Sequence, residues 1–337
     1  MTKRLFEVRV ATKDEATLYL HDMCLSERWP KALIDSRIFA EANTYGIFVA
    51  IDTSPANSGV LGIISANGHG TPAGFIGHFI VRPDMRGCGV GGALFAAAMN
   101  HLKECETVGL DAGVEAAPLY ANKGFKYTYN TVRYRSTNVP VTEADEHKLS
   151  REYENAVETL GADIEFVDPA GHIDEIAAYE ASISGMSRPA FIRALIDLSS
   201  SNPQVEESDR TVATVVVLRE VSTKKIVAFA AIRPGALDVA RVAPLYADTP
   251  DLAARVMRVL LAKYYQRHGT SAQTVYLDSV GEDSHSQRVT SFVDSVSRDS
   301  RWTNITVSGR YPRMWTNGYP AGQCLDKVYA LLSNEAG

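Results

Sequence analysis

The chain has 337 residues, more than one hydrophobic core comfortably serves, so two domains are expected. Hydrophobic residues make up 45% and charged residues 22%, and a net charge of −6 argues against a general nucleic-acid binder. No stretch approaches the roughly 18 apolar residues of a membrane-spanning helix, and MTKRLFEVRVATKDEA lacks the apolar run of a secretory signal; a cytoplasmic protein without membrane partners is expected.

Alternation from Leu5 to Val10 predicts a first strand, and the apolar spacing of residues 13–26 and 30–42 predicts two helices. Strands follow at 45–52 and 60–66, a hairpin across SPANSG, and then at FIGHFIVRP, which runs into a glycine-rich loop. From about Val90 to Lys103 a stripe of Val90, Leu94, Ala98 and Leu102 predicts a helix. TVGLDAG reads as a strand, residues 116–122 as a short helix, and a further strand begins at Phe125. Residues 138–160 are polar and charged, a connector that is partly helical.

After it the pattern starts again. HIDEIAAYEASI and PAFIRALIDLSS read as helices, VATVVVLRE and KIVAFAAIRP as a hairpin across STKK, and DVARVAPLYA as a third strand. Asp248-Thr249-Pro250 is a helix start, followed by a helix to Arg267, a strand TVYLDS, a helix over 284–296 and a final strand region. LDAG and LDSV occupy matching places. The chain therefore reads as two degenerate copies of one fold, 1–137 and 161–337, joined by 138–160. Cys24, Cys88, Cys105 and Cys324 show no CxxC spacing and read as reduced thiols, with neither a disulfide framework nor a metal site.

The loop RGCGVGGA places four glycines in six residues at a strand-to-helix junction, as phosphate sites do. A Walker A loop is excluded, because Gly91-Gly92-Ala93 stands where Lys and a hydroxyl are needed. Gly87, Gly89 and Gly92 satisfy the GxGxxG dinucleotide fingerprint, with Asp111 roughly 20 residues on as a ribose-binding acid. Against it, Pro83-Asp84-Met85-Arg86 intervene between strand and glycines, and the elements before residue 75 are left unexplained.

Arg86-Gly87-Cys88-Gly89-Val90-Gly91 matches Arg-x-x-Gly-x-Gly, the acyl-CoA loop of the GNAT superfamily of N-acyltransferases, after a similar Val81-Arg82-Pro83 strand end. Ala116-x-x-Leu119-Tyr120-x-x-x-Gly124-Phe125 resembles the family's second hallmark. The doubled chain, with RPG, APLYAD and RMW in its second half, is similar to tandem acetyltransferase-like proteins of the YitH/holothin-acetyltransferase type. The resemblance implies an α/β fold with a mixed sheet, a catalytic first half at 1–137 and a degenerate second copy. It also implies acetyl-CoA as acyl donor and a small-molecule amine as acceptor. Departures are Gly113, where the family commonly has Asn, and PLYADTPDLAARVM, which replaces the glycine loop in the second copy.

The resemblance assigns donor binding to Phe79, Val81, Arg86, Gly87, Cys88, Gly89, Val90, Gly91 and Gly92. Bare amides at a helix start, backed by the helix dipole, can surround a diphosphate, and Arg86 adds a permanent charge. The competing view is a tight β–α connection. Tyr120 matches the general acid; packing of the Gly124-Phe125 turn is its structural alternative. His78 sits where the family places a base, and a packed strand histidine is the alternative; Glu115 and Asp111 are fallback bases. Cys88 reads as a filler, Trp29 as an acceptor contact or core residue, and Arg133 and Arg135 as a strand face. Arg233, Tyr246, Asp278 and Arg313 stand at strand ends of the second half without an assigned role. That half shapes the acceptor pocket, forms a homodimer, or is structural. The rival to a transferase is a CoA-binding sensor or scaffold without turnover.

Overall fold

The computed structural model describes residues 6–54, 59–68, 73–137, 146–199, 202, 204, 211–269, 272, 274–281, 284–299 and 304–337. The first half runs β1 (Phe6–Val10), α1 (Lys13–Ser26), α2 (Leu33–Ala42), β2 (Ile47–Asp52), β3 (Val60–Gly68), β4 (Ala73–Val81), α3 (Val90–His101), β5 (Thr107–Asp111), α4 (Ala117–Ala121) and β6 (Lys126–Thr137). After α5 (Glu146–Glu158) the second half repeats that order. It runs β7 (Ile164–Phe166), α6 (Ile173–Ser184), α7 (Pro189–Asp197), β8 (Thr214–Glu220), β9 (Ile226–Pro234), β10 (Val239–Ala247), α8 (Pro250–His268), β11 (Thr274–Gly281), α9 (Ser284–Asp299) and β12 (Thr306–Trp315). A short β13 (Val328–Ala330) follows. The polar 138–160 segment thus holds α5, while its residues 138–145 lie outside the described set.

Local chemistry accounts for several of these boundaries. Thr12 caps α1 through the amide of Glu15 while the Glu15 carboxylate accepts from the Thr12 amide, a reciprocal capping box. Thr249 caps α8 at the amide of Leu252, one residue before Pro250 fills the first helical position.

The strands join one mixed sheet in the order β1-β2-β3-β4-β5-β12-β6-β11-β10-β9-β8-β7, with β13 against β10. The closing strands are exchanged. β12, from the second half, pairs with β5 through Arg313–Asp111, Met314–Leu110 and Trp315–Gly109. β6, from the first half, pairs with β11 from Asn130–Gly281 to Thr137–Thr274. β6 and β12 then pair with each other, so the ladder crosses the whole molecule.

Alternation in the strands feeds two layers. In β2, Ile47 and Val49 face one core while Ala50 faces another. The first core lies under α1, α2, α6 and α7, where Phe39 and Phe191 meet edge to face at 5.0 Å across the halves. The second lies under α3, and a third under α5, α8 and α9. Trp315 is fully buried over Gly109, where any Cβ would come within 2.6 Å of the indole. Glycine at that position is a packing requirement of the exchanged strand.

Candidate active site

β4 and β5 run parallel and hydrogen-bonded only from Ala73–Thr107 to Ile76–Leu110. β4 continues to Val81 paired with β3 on its other side, so the two strands part at Gly77. Ile63 faces Ile80 and Ser65 faces Gly77, which leaves His78 and Phe79 opposite the single residue Ile64. That is a β-bulge, and His78 takes a φ of +45° within it. The bulge turns the strand away from β5 and opens a cavity of about 340 Å³, walled by Phe79 and Tyr120 among others. The parting of the strands has no signature in residue periodicity, and the sequence could not have shown it.

The glycine loop stands at one end of this split. Pro83–Met85 form one 3-10 turn, and α3 then begins at Val90 without any side-chain cap. Gly87 and Gly89 have φ of +76° and +89°, which L side chains rarely adopt, and a Cβ on Gly87, Gly89 or Gly92 would meet no atom within 4 Å. The space where those side chains would stand is therefore open beside the first turn of α3. Arg86 donates to the Val81 carbonyl at 3.1 Å and pairs with Glu27 at 2.5 Å. Cys88 is exposed.

Tyr120 closes the inner end. Its ring lies 6.1 Å from that of Phe95 and 6.2 Å from that of Phe125, and its carbonyl accepts the Phe125 amide at 3.1 Å. Its hydroxyl has no hydrogen-bond partner among the described residues. Burial pushes the phenol up to about 12, so it keeps its proton at neutral pH. Gly113, on the β5–α4 turn, lines the same cavity.

A buried charged wall faces the loop. His78 Nε2 lies 3.1 Å from Lys31 Nζ and His78 Nδ1 3.0 Å from Ser65 Oγ. Lys31 pairs in turn with Glu335 at 2.6 Å. Burial, reinforced by the Lys31 cation, lowers His78 to about 3, so the imidazole is neutral. An ammonium can only donate, so Nε2 accepts from Lys31 and Nδ1–H donates to Ser65. Lys31, His78 and Arg241 hold the Glu335 carboxyl well below its ordinary range, against the cost of burial. Farther along, Arg133 forks onto Asp278 at 2.7 and 3.0 Å, and Arg313 onto Asp111 at 2.7 and 2.8 Å.

The residues singled out in the sequence fall into three groups. Phe79, His78, Tyr120, Asp111, Trp29 and Arg133 line the cavity. Val81 and the 86–92 loop border the split, whereas Glu115 and Arg135 are exposed and off its lining. Asp111 has both oxygens taken by Arg313 and Thr131, which leaves none for a ribose. Lys31, Arg241 and Glu335 were not singled out; the one available signal was a charge inside an apolar run, Arg241 in DVARVAPLYA.

Residues 43–127 match the family model for the acetyltransferase (GNAT) domain, which spans β2 to the start of β6 and so the whole split and glycine loop. A crystal structure of a Pyrococcus horikoshii protein, provisionally assigned as an acetyltransferase, superposes with a TM-score of 0.67 at 15% identity, covering 100% of this chain and 97% of that one. The fold is a GNAT fold. A tandem GNAT protein from the clavulanic acid biosynthesis pathway superposes at 0.54 with 13% identity, covering 92% of this chain and 98% of that one. A GCN5-related N-acetyltransferase from Sphaerobacter thermophilus gives 0.52 at 14% identity, over 92% and 95% of the two chains. Among curated sequences, the uncharacterized Caenorhabditis elegans protein F36G3.2 is 24% identical over 262 residues, 77% of this chain and 74% of its own.

The second GNAT-like half carries the same split, and the chain itself fills it. β10 pairs with β11 only from Val239–Thr274 to Val242–Leu277, and its register against β9 slips between Val242 and Leu245. β13 then lies along β10 at Leu245 and Tyr246, and the Leu331 amide donates to the Asp278 carbonyl of β11 at 2.7 Å. At the α8 start, Thr249 caps an amide and Asp251 adds a carboxylate to the first turn. Both features disfavour an incoming phosphate.

Proposed function

We propose that the protein transfers an acetyl group from acetyl-CoA to the amine of a small molecule, with the first half holding the donor. The observation that carries this reading is the open split between β4 and β5. It lies between an uncapped glycine-rich helix start and a buried tyrosine whose hydroxyl has no protein partner. The residues fit the donor: a diphosphate needs bare amides, and Gly87, Gly89 and Gly92 leave the space a Cβ would take. When bound, acetyl-CoA supplies a thioester carbonyl for the amine to attack and a thiolate leaving group.

The chain's own groups have separate tasks. The amides of the 86–92 loop and the α3 dipole hold the diphosphate, with Arg86 adding charge from the rim. Backbone at Phe79 and Val81, beyond the end of the β5 pairing, offers hydrogen bonds to the donor's extended arm, at Val81 through the amide because its carbonyl already accepts from Arg86. Tyr120 delivers a proton to the departing sulfur, for which its protonated phenol is suited. His78 contributes through Lys31, because its Nε2 lone pair is already engaged and its neutral form has little affinity for a proton. An amine's proton therefore leaves to water, because Lys31 is an ammonium that can only donate and Glu335, held well below its ordinary range, is a weak base. The finer likeness to the YitH/holothin-acetyltransferase type is supported by the doubled element order, and a small acceptor by the cavity volume of about 340 Å³.

Calorimetry with acetyl-CoA, followed by thiol release across an amine panel, tests the reading. Binding at the first half and release with at least one amine are expected. Binding without release for every amine would replace the transferase with a CoA sensor, and no binding would remove both.

A further inference from the structure

Where the halves meet, every buried carboxylate beside the cavity has a cation of its own. Glu335 holds Lys31 at 2.6 Å and Asp35 holds Arg233 at 2.7 Å. Asp278 takes the Arg133 fork at 2.7 and 3.0 Å, and Asp111 the Arg313 fork at 2.7 and 2.8 Å. Arg241 is left over. Its ion pair is a 3.4 Å approach to Asp278, whose two oxygens already serve Arg133. Yet Arg241 is 7% exposed and lines the cavity. A buried guanidinium that shares its one carboxylate with a second cation is only partly compensated, and its fork is shaped to receive a planar anion.

We propose that the acceptor amine carries a carboxylate, which Arg241 receives on the cavity wall; this rests on the transferase reading of the same cavity. One partly compensated charge matches one carboxylate and would be overshot by a phosphate dianion. Tyr311 also lines the cavity, and its oxygen accepts from Arg133 Nη1 at 3.3 Å, which leaves the phenolic proton free to donate to the same carboxylate. Arg241 stands on β10. The second half, closed to a donor of its own, would thereby select the acceptor of the first.

The test uses the full chain and matched pairs of amines: 4-aminobutyrate against 4-aminobutanamide, and phenylalanine against phenylalaninamide. Two readouts are taken, thiol release with acetyl-CoA and the shift of melting temperature by each amine alone. Acids are expected to exceed their amides at least about tenfold in kcat/KM and to raise the melting temperature where amides do not. In R241Q both preferences should vanish. R241Q itself should melt no lower than the wild type, because Asp278 keeps Arg133; Arg241→Lys, which retains the charge and loses the fork, should keep part of the preference. Equal behaviour of acid and amide in both readouts, or a preference that survives R241Q, overturns the proposal. A melting shift confined to the acids, with no thiol released from any amine, would keep the carboxylate site and count against the transferase alone.

Discussion

Removing the Tyr120 hydroxyl separates its two roles. The ring is wedged beside Phe95 and Phe125 at 6.1 and 6.2 Å, and the hydroxyl makes no hydrogen bond to any described residue. Tyr120→Phe keeps the ring and orphans no partner, so stability should stay within about 0.5 kcal/mol of the wild type. Donor affinity should also hold, since the loop amides are untouched. Turnover should not. A positioned general acid is worth roughly 10²- to 10⁴-fold, and a thiol of ordinary pKa near 8.5 already leaves readily. Burial raises Tyr120 to about 12, which makes its proton the harder one to give up. Both facts place the expected loss at the lower end, about 10²-fold in kcat. The assay is thiol release at saturating acetyl-CoA, with the dissociation constant and melting temperature measured on the same preparations. A kcat within about threefold of the wild type would show that Tyr120 only packs the turn. A parallel loss of affinity would show that it holds the donor.

Other expectations follow from the same geometry. Gly92→Asp adds a carboxylate to the first turn of α3, where the dipole favours it by about 0.3–1 kcal/mol while it opposes a diphosphate; melting should not fall and acetyl-CoA binding should, by calorimetry. Because His78 is lowered to about 3 from 6.5, the unfolded chain binds the extra proton. Stability is thus fully present above pH 6.5 and should decline by about 1.4 kcal/mol per unit as pH falls from about 6 to 4.5, a slope in urea unfolding that His78→Gln should lose. Residues 1–137 alone lack β12, so β5 is left with an open edge and Gly109 without Trp315; the fragment should not fold by itself, and a monodisperse folded fragment in amide NMR would contradict the exchanged topology. With the second split filled by β13, acetyl-CoA should bind at one site per chain, and a calorimetric stoichiometry of two would refute that closure.

What the sequence showed was what local chemistry encodes. The positive φ of Gly87 and Gly89 and the uncapped start of α3 follow from residue types at fixed spacing, whereas Tyr120 ahead of Gly124-Phe125 was marked by its resemblance to the GNAT pattern. The doubled element order was legible from periodicity as well. His78 drew attention as a titratable group in an apolar strand, but the bulge that turns it toward Lys31 depends on pairing with β3. Arg233, Asp278 and Arg313 were visible as charges at strand ends, without their partners. Those partners, Asp35, Arg133 and Asp111, lie in the other half, and only the exchange of β6 and β12 brings the last two pairs together. β13 escaped notice because three residues carry no period, and its strand character comes from the slot it fills.

The C-terminal segment ties the two copies to each other. β13 occupies the place in the second half that the open split occupies in the first. The chain then continues into the first half, where Asn67 donates to the Glu335 carbonyl at 2.7 Å and Glu335 meets Lys31. A Cβ on Gly77 would overlap the backbone of Glu335, so β4 and the tail are fitted to each other. One short segment therefore closes one site and builds the wall of the other. Pulling it out would expose the slot between β10 and β11 and strip Lys31 of its carboxylate at the same moment. The buried pairs Arg133–Asp278 and Arg313–Asp111 tie the exchanged strands in the same way, since either partner alone would be an uncompensated buried charge. Filling of the split in the second half is thus coupled physically to completion of the cavity wall in the first.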